Sequence, residues 1–348
     1  KEGEILTEAK KKALELKSHY PEAYNTLGYF FRLKENFTQA IESYQTLIAL
    51  QPNAPEAYNN LGLIFCIQRR YEEAIKHYQQ ALQLNPNFSD AHLNLGQTYT
   101  ELGQFEDAIK CFEKVQILEP DSAAPLVSLG LIYHKQGHYV QAMEYSQKVL
   151  QKEPQNHLGY NLMGMSLKER GELQQAIFHF REALAKNPHF VESHHRFAET
   201  LLLTGNFSEG FEEYEWRWNN EKNPYTFFKQ PVWKGESLKN KRILLIAEQG
   251  GGDLIQFVRY VRLLHSLEAQ ILLTCWEPLE SLFKTLPDVT HVIPLRLNNG
   301  LENALKNLAQ LDFDYFLPLL SLPRVFKTTL ETIPPPPSLP LQGGGRVS

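Results

Sequence analysis

The stretch PEAYNNLGLIF (residues 55–65), followed by RYEEAIKHY (70–78) and closed by LNP (84–86), decides the fold of this chain. Similar stretches recur at a spacing of 34 residues before and after it. Each unit repeats a glycine, an alanine and a proline, which form the columns Gly28, Gly62, Gly96, Gly130, Gly164; Ala40, Ala74, Ala108, Ala142, Ala176; and Pro52, Pro86, Pro120, Pro154, Pro188. Columns that stay in phase over five units indicate a repeat architecture.

Each unit has the pattern of two packed helices. Tyr58, Leu61 and Phe65 lie on one face of a first helix, because residues three and four apart are neighbours on a helix surface. Gly62 and Ala74 are small because two helices cross closely there. A helix–turn–helix unit of this length is typical of tetratricopeptide (TPR) repeats. We therefore predict an α-solenoid in which each repeat buries its apolar face against the next.

The repeats weaken at both ends. Residues 1–20 fit only the second helix of an earlier repeat, so we expect a partial TPR there and infer that the chain is a fragment. Six TPR repeats follow over residues 21–218, of which the last is atypical: Ala198 and Gly210 replace the expected glycine and alanine, and the closing proline is missing.

Three further segments follow the repeats. Residues 219–240 are predicted to be a linker or seam, and Trp216 and Trp218 before them are expected to pack at that seam. Residues 241–334 are predicted to form a Rossmann-like α/β domain, the N-terminal half of a GT-B fold. Residues 335–348 are rich in proline and glycine and are expected to be disordered.

Composition narrows the classes of function. The formal net charge of −5 offers no basic field for nucleic acid. No apolar run approaches the ~18–20 residues of a membrane helix, so we expect no membrane span and a cytoplasmic location. Cys66, Cys111 and Cys275 are scattered, and His194 and His195 point to different faces of a helix, so no metal site is predicted.

The α/β pattern is a series of short apolar runs that alternate with helical spacing. Strands are predicted over residues 242–247, 270–275, 291–293 and 315–317, and helices follow the glycine loop at 254–264 and lie at 278–286 and 301–311. This alternation indicates a parallel sheet, which binds ligands at the carboxyl ends of its strands.

The glycine loop allows two interpretations. A nicotinamide-binding fingerprint would need a third glycine where Ile255 stands after Gly250 and Gly252. Asp253 also places a negative charge where a pyrophosphate would lie. Glu277, which could bind a ribose hydroxyl, keeps this interpretation open but weak.

The other interpretation is a resemblance. The segments WKGESL (233–238), KRILL (241–245), EQGGGDLIQFVRY (248–260), LLSLP (319–323) and TTLETIP (328–334) resemble the region after the repeats in bacterial TPR glycosyltransferases. Those proteins are similar to the heptosyltransferases and, more distantly, to the TPR-bearing O-linked N-acetylglucosamine transferases. The resemblance implies a GT-B arrangement of two Rossmann-like domains, of which this chain keeps the first.

The resemblance also implies site residues. Asp253 takes the place of the general base toward an acceptor hydroxyl, while its alternative role is to cap its own helix. The acceptor-side loop residues are Gln249, Gly250, Gly251, Gly252 and Gln256. Because the second domain holds most contacts to a nucleotide-sugar donor, we expect that donor only for a full-length protein and expect this chain to be inactive alone.

Polar positions on the first helices suggest a peptide-binding groove. The candidates are Asn25, Asn59, Asn60, Asn94, Ser128 and Asn161. In the O-linked N-acetylglucosamine transferases an asparagine ladder holds a peptide backbone, since amides offer both donor and acceptor. Leu162 and Arg196 interrupt the column, so these asparagines are alternatively ordinary solvated residues.

Our leading hypothesis is a TPR glycosyltransferase fragment whose repeats bind a protein or peptide and whose α/β half presents a glycan or protein acceptor. The alternative is a non-catalytic TPR scaffold that mediates protein–protein interactions.

Overall fold

The structure is a computed structural model that describes residues 20–218, 223–296 and 300–337. The predicted partial repeat before residue 20, part of the predicted linker and the tail from residue 338 lie outside the described residues. The chain divides into two compact units, Lys1–Glu172 and Leu173–Ser348.

The repeat region consists of consecutive helices, as predicted, and within each compact unit these helices pack as hairpins. The helices are α1 (Pro21–Leu33) and α2 (Phe37–Leu50), α3 (Pro55–Ile67) and α4 (Tyr71–Leu84), α5 (Ser89–Glu101) and α6 (Phe105–Leu118), α7 (Ala124–Lys135) and α8 (Tyr139–Lys152), α9 (His157–Glu169) and α10 (Leu173–Lys186), and α11 (Val191–Leu203) and α12 (Phe207–Tyr214). A short 3₁₀ turn, Glu215–Trp218, follows α12. The helical TPR prediction is therefore confirmed.

The glycine column is required by an aromatic ring in the partner helix. A Cβ atom on Gly62 would lie 2.6 Å from the ring of Tyr78, and a Cβ atom on Gly28 would lie 2.6 Å from the ring of Tyr44. Both tyrosines are fully buried. The two helices of a repeat therefore pack as an aromatic ring against a bare backbone, which leaves no room for a side chain.

The turns between paired helices use a left-handed residue. Gly103, Gly137 and Gly171 have φ angles of 73°, 78° and 79°. Glu35 and Arg69 occupy the same place in the first two repeats, with φ angles of 55° and 59°. This backbone region favours glycine because a Cβ atom is strained there.

The C-terminal region contains a small parallel sheet. Its strands are β1 (Arg242–Ile246), β2 (Gln270–Trp276), β3 (His291–Leu295) and β4 (Tyr315–Pro318), in the order β3-β2-β1-β4. The helices between and after them are α13 (Gly251–Phe257), α14 (Val261–Ser266), α15 (Glu280–Phe283), α16 (Gly300–Leu308) and α17 (Leu322–Val325). All four predicted strands are present, with bounds that differ by one or two residues.

The predicted helices differ from those observed. A 3₁₀ turn at Val258–Tyr260 divides the helix predicted over residues 254–264 into α13 and α14, and α16 ends at Leu308 rather than at residue 311. A third helix is much shorter than predicted. The expectation was a helix over residues 278–286, whereas α15 spans Glu280–Phe283 after a 3₁₀ turn at Glu277–Leu279. The Thr285 hydroxyl donates to the Leu282 carbonyl oxygen at 2.6 Å, and the Leu286 N–H donates to the Phe283 carbonyl oxygen. These bonds satisfy the last carbonyl groups locally and end the helix.

The segment before the sheet is anchored to it. Val232 forms a parallel bridge with Phe316 of β4, and the Trp233 N–H donates to the Phe316 carbonyl oxygen at 2.9 Å. The Trp233 side chain is 1% exposed and its indole donates to the Glu236 carbonyl oxygen. The end of the predicted linker therefore belongs to the sheet's core.

Candidate functional site

The first helices of the repeats form one layer in the N-terminal unit. Consecutive first helices α1, α3, α5, α7 and α9 contact one another, while among the described helices no comparable contact joins consecutive second helices of this unit. Elements that touch along a curved stack lie on its inner side, so the first helices line the inner surface of these repeats.

Asparagines on this layer pair between repeats. The Asn94 amide nitrogen donates to the Asn59 side-chain oxygen at 3.0 Å, and the Asn60 amide nitrogen donates to the Asn25 side-chain oxygen at 3.5 Å. Asn59 is 7% exposed, whereas Asn25 is exposed. We call these two pairs the asparagine rungs. They join first helices whose paired residues are 35 positions apart in the chain.

The rungs end where the sequence loses its asparagines. The position of Asn59 is taken by Leu93 in the next repeat, and the Ser128 hydroxyl instead donates to the Ala124 carbonyl oxygen of its own helix at 3.2 Å. Asn161 is 4% exposed and donates to the Met165 sulfur at 3.3 Å. The six predicted groove residues therefore comprise two rungs, one serine bonded within its helix and one buried asparagine.

The second candidate region lies at the carboxyl ends of the strands. All four strands are parallel. β2 and β3 lie on one side of β1 and β4 lies on the other, so the order in which successive strands are added to the sheet reverses at β1. Such a reversal opens a crevice at the carboxyl ends of the strands. The glycine loop follows β1 directly and leads into α13.

The predicted loop residues divide between two environments. The Asp253 carboxylate accepts the Gly250 N–H at 3.2 Å, which is the geometry of a helix cap. Gln249 has a left-handed backbone with φ of 51°, its side chain donates to the Tyr214 hydroxyl, and its carbonyl oxygen accepts the Trp276 indole N–H at 2.9 Å.

The remaining loop residues have fewer contacts. A Cβ atom on Gly252 would meet nothing within 4 Å, and Gly251 lies against Leu279. Gln256 is exposed and lines a separate apolar pocket with Phe207 and Phe211. The structure thus places Gln249 and Gln256 at different cavities rather than at one.

A cavity of about 270 Å³ adjoins the end of β1. Its lining includes Trp218, Tyr225, Glu248, Gln249 and Trp276. The walls are mostly apolar and aromatic, with a few polar groups, which is the usual composition of a small-molecule site.

A buried ion cluster lies beside this cavity. The Arg217 guanidinium contacts both Glu248 oxygens, at 3.1 and 3.2 Å, and also bonds Glu215 at 2.8 Å and the Ser321 hydroxyl at 2.8 Å. The Leu320 N–H donates to Glu248 at 3.2 Å. The cluster therefore joins the end of the sixth repeat to the carboxyl ends of β1 and β4.

Burial sets the protonation of this cluster. Glu248 is 6% exposed, and burial raises the pKa of its carboxyl to about 7 despite the opposing effect of the Arg217 guanidinium. Sequence reasoning missed both residues, although a charged residue directly after a buried strand was a usable signal.

The two tryptophans predicted to pack at a seam have different neighbours: Trp216 contacts histidines of the repeat region, whereas Trp218 packs on Tyr225. Trp216 stacks on His194 with ring centroids 3.7 Å apart, and His194 also contacts the Glu213 carboxylate and the Pro188 carbonyl oxygen.

Within the described residues, no group of three or more histidine, cysteine or acidic side chains has the arrangement of a metal site.

The stacked helical hairpins and their inner asparagine surface define the class: this is a TPR repeat protein. Residues 1–223 match the family described as the Cilia and flagella-associated protein 70 C-terminal domain, and the chain belongs to this family. No curated protein matches the chain.

Solved structures of other proteins have similar folds. A chain of the APC/C hetero-tetramer Cut9–Hcn1 has 15% identity and a TM-score of 0.54, covering 64% of this chain and 44% of that one. PilW, a type IV pilus biogenesis factor, has 17% identity and a TM-score of 0.52, covering 57% of this chain and 93% of that one. A TPR protein from Parabacteroides merdae has 22% identity and a TM-score of 0.48, covering 56% and 77%.

These likenesses concern the fold alone. Among the described residues, no helix combines the length and the apolar character needed to cross a bilayer.

Proposed function

We propose that this protein is a TPR scaffold whose inner first-helix surface binds an extended segment of a partner protein. The observation that carries the proposal is the pair of asparagine rungs. TPR repeats mediate peptide and protein binding, and this chain belongs to a TPR family.

The chemistry of the rungs suits a peptide backbone. Each rung uses one N–H donor and one oxygen acceptor for its own bond, so Asn60 and Asn94 keep a second N–H and their side-chain oxygens. A peptide backbone alternates N–H and C=O groups and can pair with both. Because the rungs hold neighbouring repeats in register, they present these groups in fixed positions at little further cost in side-chain entropy.

A selection from a random peptide display library against the full chain tests this proposal. We expect enriched peptides whose affinity falls when their backbone nitrogens are methylated, since methylation removes the N–H donors. Asn60→Ala should weaken the binding by about tenfold, the value of one lost hydrogen bond. Asn60 belongs to the exposed, longer rung, so this variant should fold normally.

The matched control is Gln83→Ala, which removes an exposed amide from the second helix α4 of the same repeat. Equal affinities for Asn60→Ala and Gln83→Ala, or peptides insensitive to methylation, would contradict the proposal.

A second candidate function is supported by a different observation, the position of the glycine loop. We propose for this candidate that the sheet is the Rossmann-like acceptor half of a bacterial-type GT-B glycosyltransferase. The strand order β3-β2-β1-β4 agrees with the first four strands of a doubly wound sheet. Asp253 lies in the first turn of α13 beside the crevice end of β1, with Gln249 and Gln256 flanking the loop. A nucleotide-sugar donor and a glycan or protein acceptor would be its substrates.

The two roles of Asp253 can be separated by substitution. Asn accepts the Gly250 N–H as Asp does but cannot take a proton from a hydroxyl. The test uses a protein that contains this chain and transfers a radiolabelled sugar. In that protein, Asp253→Asn should abolish sugar transfer without changing the melting temperature. Asp253→Ala should lower both the transfer rate and the melting temperature. Transfer by Asp253→Asn at the unsubstituted rate would exclude Asp253 as the base.

A further inference from the structure

The asparagine rungs define which side of α3 belongs to the inner surface. Asn60 of α3 pairs with Asn25 of α1. Its neighbour Asn59 pairs with Asn94 of α5. Successive residues of a helix point about 100° apart, so these two side chains point towards the two neighbouring first helices. The arc of α3 between them is the inner surface, and the buried Phe65 points to the opposite side.

Exposed side chains lie in this arc on both sides of the rungs. Glu56 precedes the rungs by one helical turn, and Leu63 and Ile67 follow them by one and two turns. All three point between the directions of Asn59 and Asn60, because the helix repeats every 3.6 residues. The rise of the helix separates Glu56 from Leu63 by about 10 Å along its axis.

The same positions on the neighbouring first helices continue these side chains as two rows. We call Glu22, Glu56 and Asp90, one each on α1, α3 and α5 and all exposed, the acidic row. We call Tyr29, Leu33, Leu63 and Ile67, on α1 and α3, the apolar row. Tyr29, Leu33 and Ile67 are 51%, 58% and 48% exposed. Large apolar side chains that are exposed side by side mark an interaction surface.

The acidic row has no counter-charge from the chain itself. Within the described residues, none of its three carboxylates belongs to an ion pair. Arg32 lies at the apolar end of α1, where its guanidinium is 5.0 Å from the centroid of the Tyr29 ring. Ten residues separate it from Glu22, a rise of about 15 Å. A basic side chain is therefore attracted to the acidic row and disfavoured at the apolar row.

The rungs orient a backbone that lies across them. Asn59 is 7% exposed, and its amide nitrogen has no hydrogen-bond partner within the described residues but keeps some exposed surface. It can therefore donate to a peptide carbonyl group. A strand whose N–H and C=O groups face the rungs projects its side chains sideways, alternately to one side and the other. Successive side chains then face the acidic row and the apolar row in turn.

We propose that the inner surface of α1, α3 and α5 binds an extended segment of a partner protein in which basic and apolar residues alternate. The basic side chains pair with the acidic row, and the apolar side chains cover the apolar row. This inference rests on the proposed peptide binding and adds the sequence pattern of the partner. Neighbouring helices lie 8–10 Å apart, so about six extended residues reach across the three helices.

Three capped hexapeptides that carry a neutral fluorophore test the order of the side chains. Lys-Val-Lys-Val-Lys-Val alternates, Lys-Lys-Lys-Val-Val-Val has the same composition in blocks, and Glu-Val-Glu-Val-Glu-Val reverses the charge. In fluorescence anisotropy titrations with the full chain, the alternating peptide should bind about tenfold more tightly than the block peptide. The block order turns one lysine to the apolar row and one valine to the acidic row. The acidic peptide should bind more weakly still, because like charges repel.

Matched variants of the protein test each row. Glu56→Gln should weaken binding of the alternating peptide about threefold, the effect of one exposed ion pair. Glu72→Gln is its control, because it removes an exposed carboxylate from the first turn of the second helix α4 and should not change the affinity. Ile67→Ser should weaken binding about fivefold. Ile117→Ser, at an exposed position of the second helix α6, should leave it unchanged.

The outcomes separate this inference from the function on which it rests. Equal affinities of the alternating and block peptides, or equal effects of Glu56→Gln and Glu72→Gln, would overturn the alternating pattern. If the display library still yielded peptides that are sensitive to backbone methylation, the scaffold function would stand with a partner of another sequence. Failure of every peptide to bind would overturn both.

Discussion

Glu35 and Arg69 hold the left-handed turn positions at which the later repeats have glycine. Both side chains are exposed, so no buried contact offsets their backbone strain. Glu248, which follows β1, is unusual in a different way: its carboxyl group is buried, and burial raises its pKa. Glu35 and Arg69 thus differ from the glycine of the later repeats, and Glu248 is a buried charged residue next to an apolar strand.

We expect Glu35→Gly and Arg69→Gly each to raise the free energy of unfolding by about 0.5–1 kcal/mol, because relief of strain of about 1–2 kcal/mol exceeds the entropy that glycine adds to the unfolded chain. Urea unfolding followed by circular dichroism measures this difference. The reverse change Gly103→Ala, at φ of 73° with nothing within 4 Å of a new Cβ atom, should lower stability by about 1 kcal/mol. A stabilised Gly103→Ala protein would contradict the strain argument.

Glu248 gives the protein a pH dependence of known sign. Burial raises its pKa from 4.5 in the unfolded chain to about 7, so the folded state binds this proton more tightly. The resulting stabilisation is complete below the unfolded pKa and is lost as pH rises through 7. Between pH 5 and 8 the unfolding free energy should therefore fall by about 1–3 kcal/mol relative to Glu248→Gln.

Tryptophan fluorescence during urea unfolding at several pH values measures this effect. The control Glu302→Gln changes an exposed carboxylate and should keep the pH profile of the unsubstituted protein. Parallel profiles for the unsubstituted protein and Glu248→Gln would show that the raised pKa is wrong.

At the scale of the helical element, glycine and aromatic columns determine how two helices pack. The rings of Tyr44 and Tyr78 fill the space over Gly28 and Gly62, and Phe112 does the same over Gly96. In the fourth repeat Ser146 stands at the aromatic position, and Leu162 of the next repeat fills the space over Gly130 instead.

We expect Gly62→Ala to destabilise the repeats by about 1–3 kcal/mol, because the new Cβ atom would lie 2.6 Å from the buried Tyr78 ring, which cannot move away. Hydrogen exchange of α3 and α4 measures the loss. Gly252→Ala, in α13 with open space at its Cβ position, is the matched control and should be neutral or slightly stabilising. Equal exchange rates before and after Gly62→Ala would contradict the packing argument.

At the scale of the whole molecule, the sixth repeat and the sheet belong to the same compact unit. Arg217 is one of the residues that join them, since its guanidinium contacts groups from the end of α12, the end of β1 and the turn after β4. The division of this chain into units therefore does not coincide with the end of the repeat pattern.

Above the pKa of Glu248, Arg217→Gln should destabilise this unit by about 3–5 kcal/mol, because it leaves the Glu248 carboxylate buried without its counter-charge; at pH 5, where Glu248 is protonated, the loss should be smaller. Hydrogen exchange at the carboxyl ends of β1 and β4 should quicken accordingly. The double variant Arg217→Met/Glu248→Met should recover most of the loss, since it removes both buried charges. Arg181→Gln, which breaks an exposed ion pair with Glu209, should change stability by less than about 1 kcal/mol. If the double variant were as unstable as Arg217→Gln, the unpaired buried charge would not be the cause of the loss.

The sequence by itself determined the helical repeats and the four strands, because both follow from local rules. The 34-residue spacing of Gly62 and its column, and the apolar runs such as residues 242–246, specify helix faces and strands within a few neighbouring positions. The sequence also identified the candidate asparagines one by one.

Only the tertiary structure decided which of these residues meet. Asn94 pairs with Asn59 of the preceding repeat, and Arg217 pairs with Glu248, 31 positions away and in another element. Such pairings depend on how packed elements align in space, and the spacing of a helix or a strand carries no information on that alignment. For the same physical reason the sequence does not reveal the cavity beside Trp218, which exists only where the end of the repeats packs against the sheet.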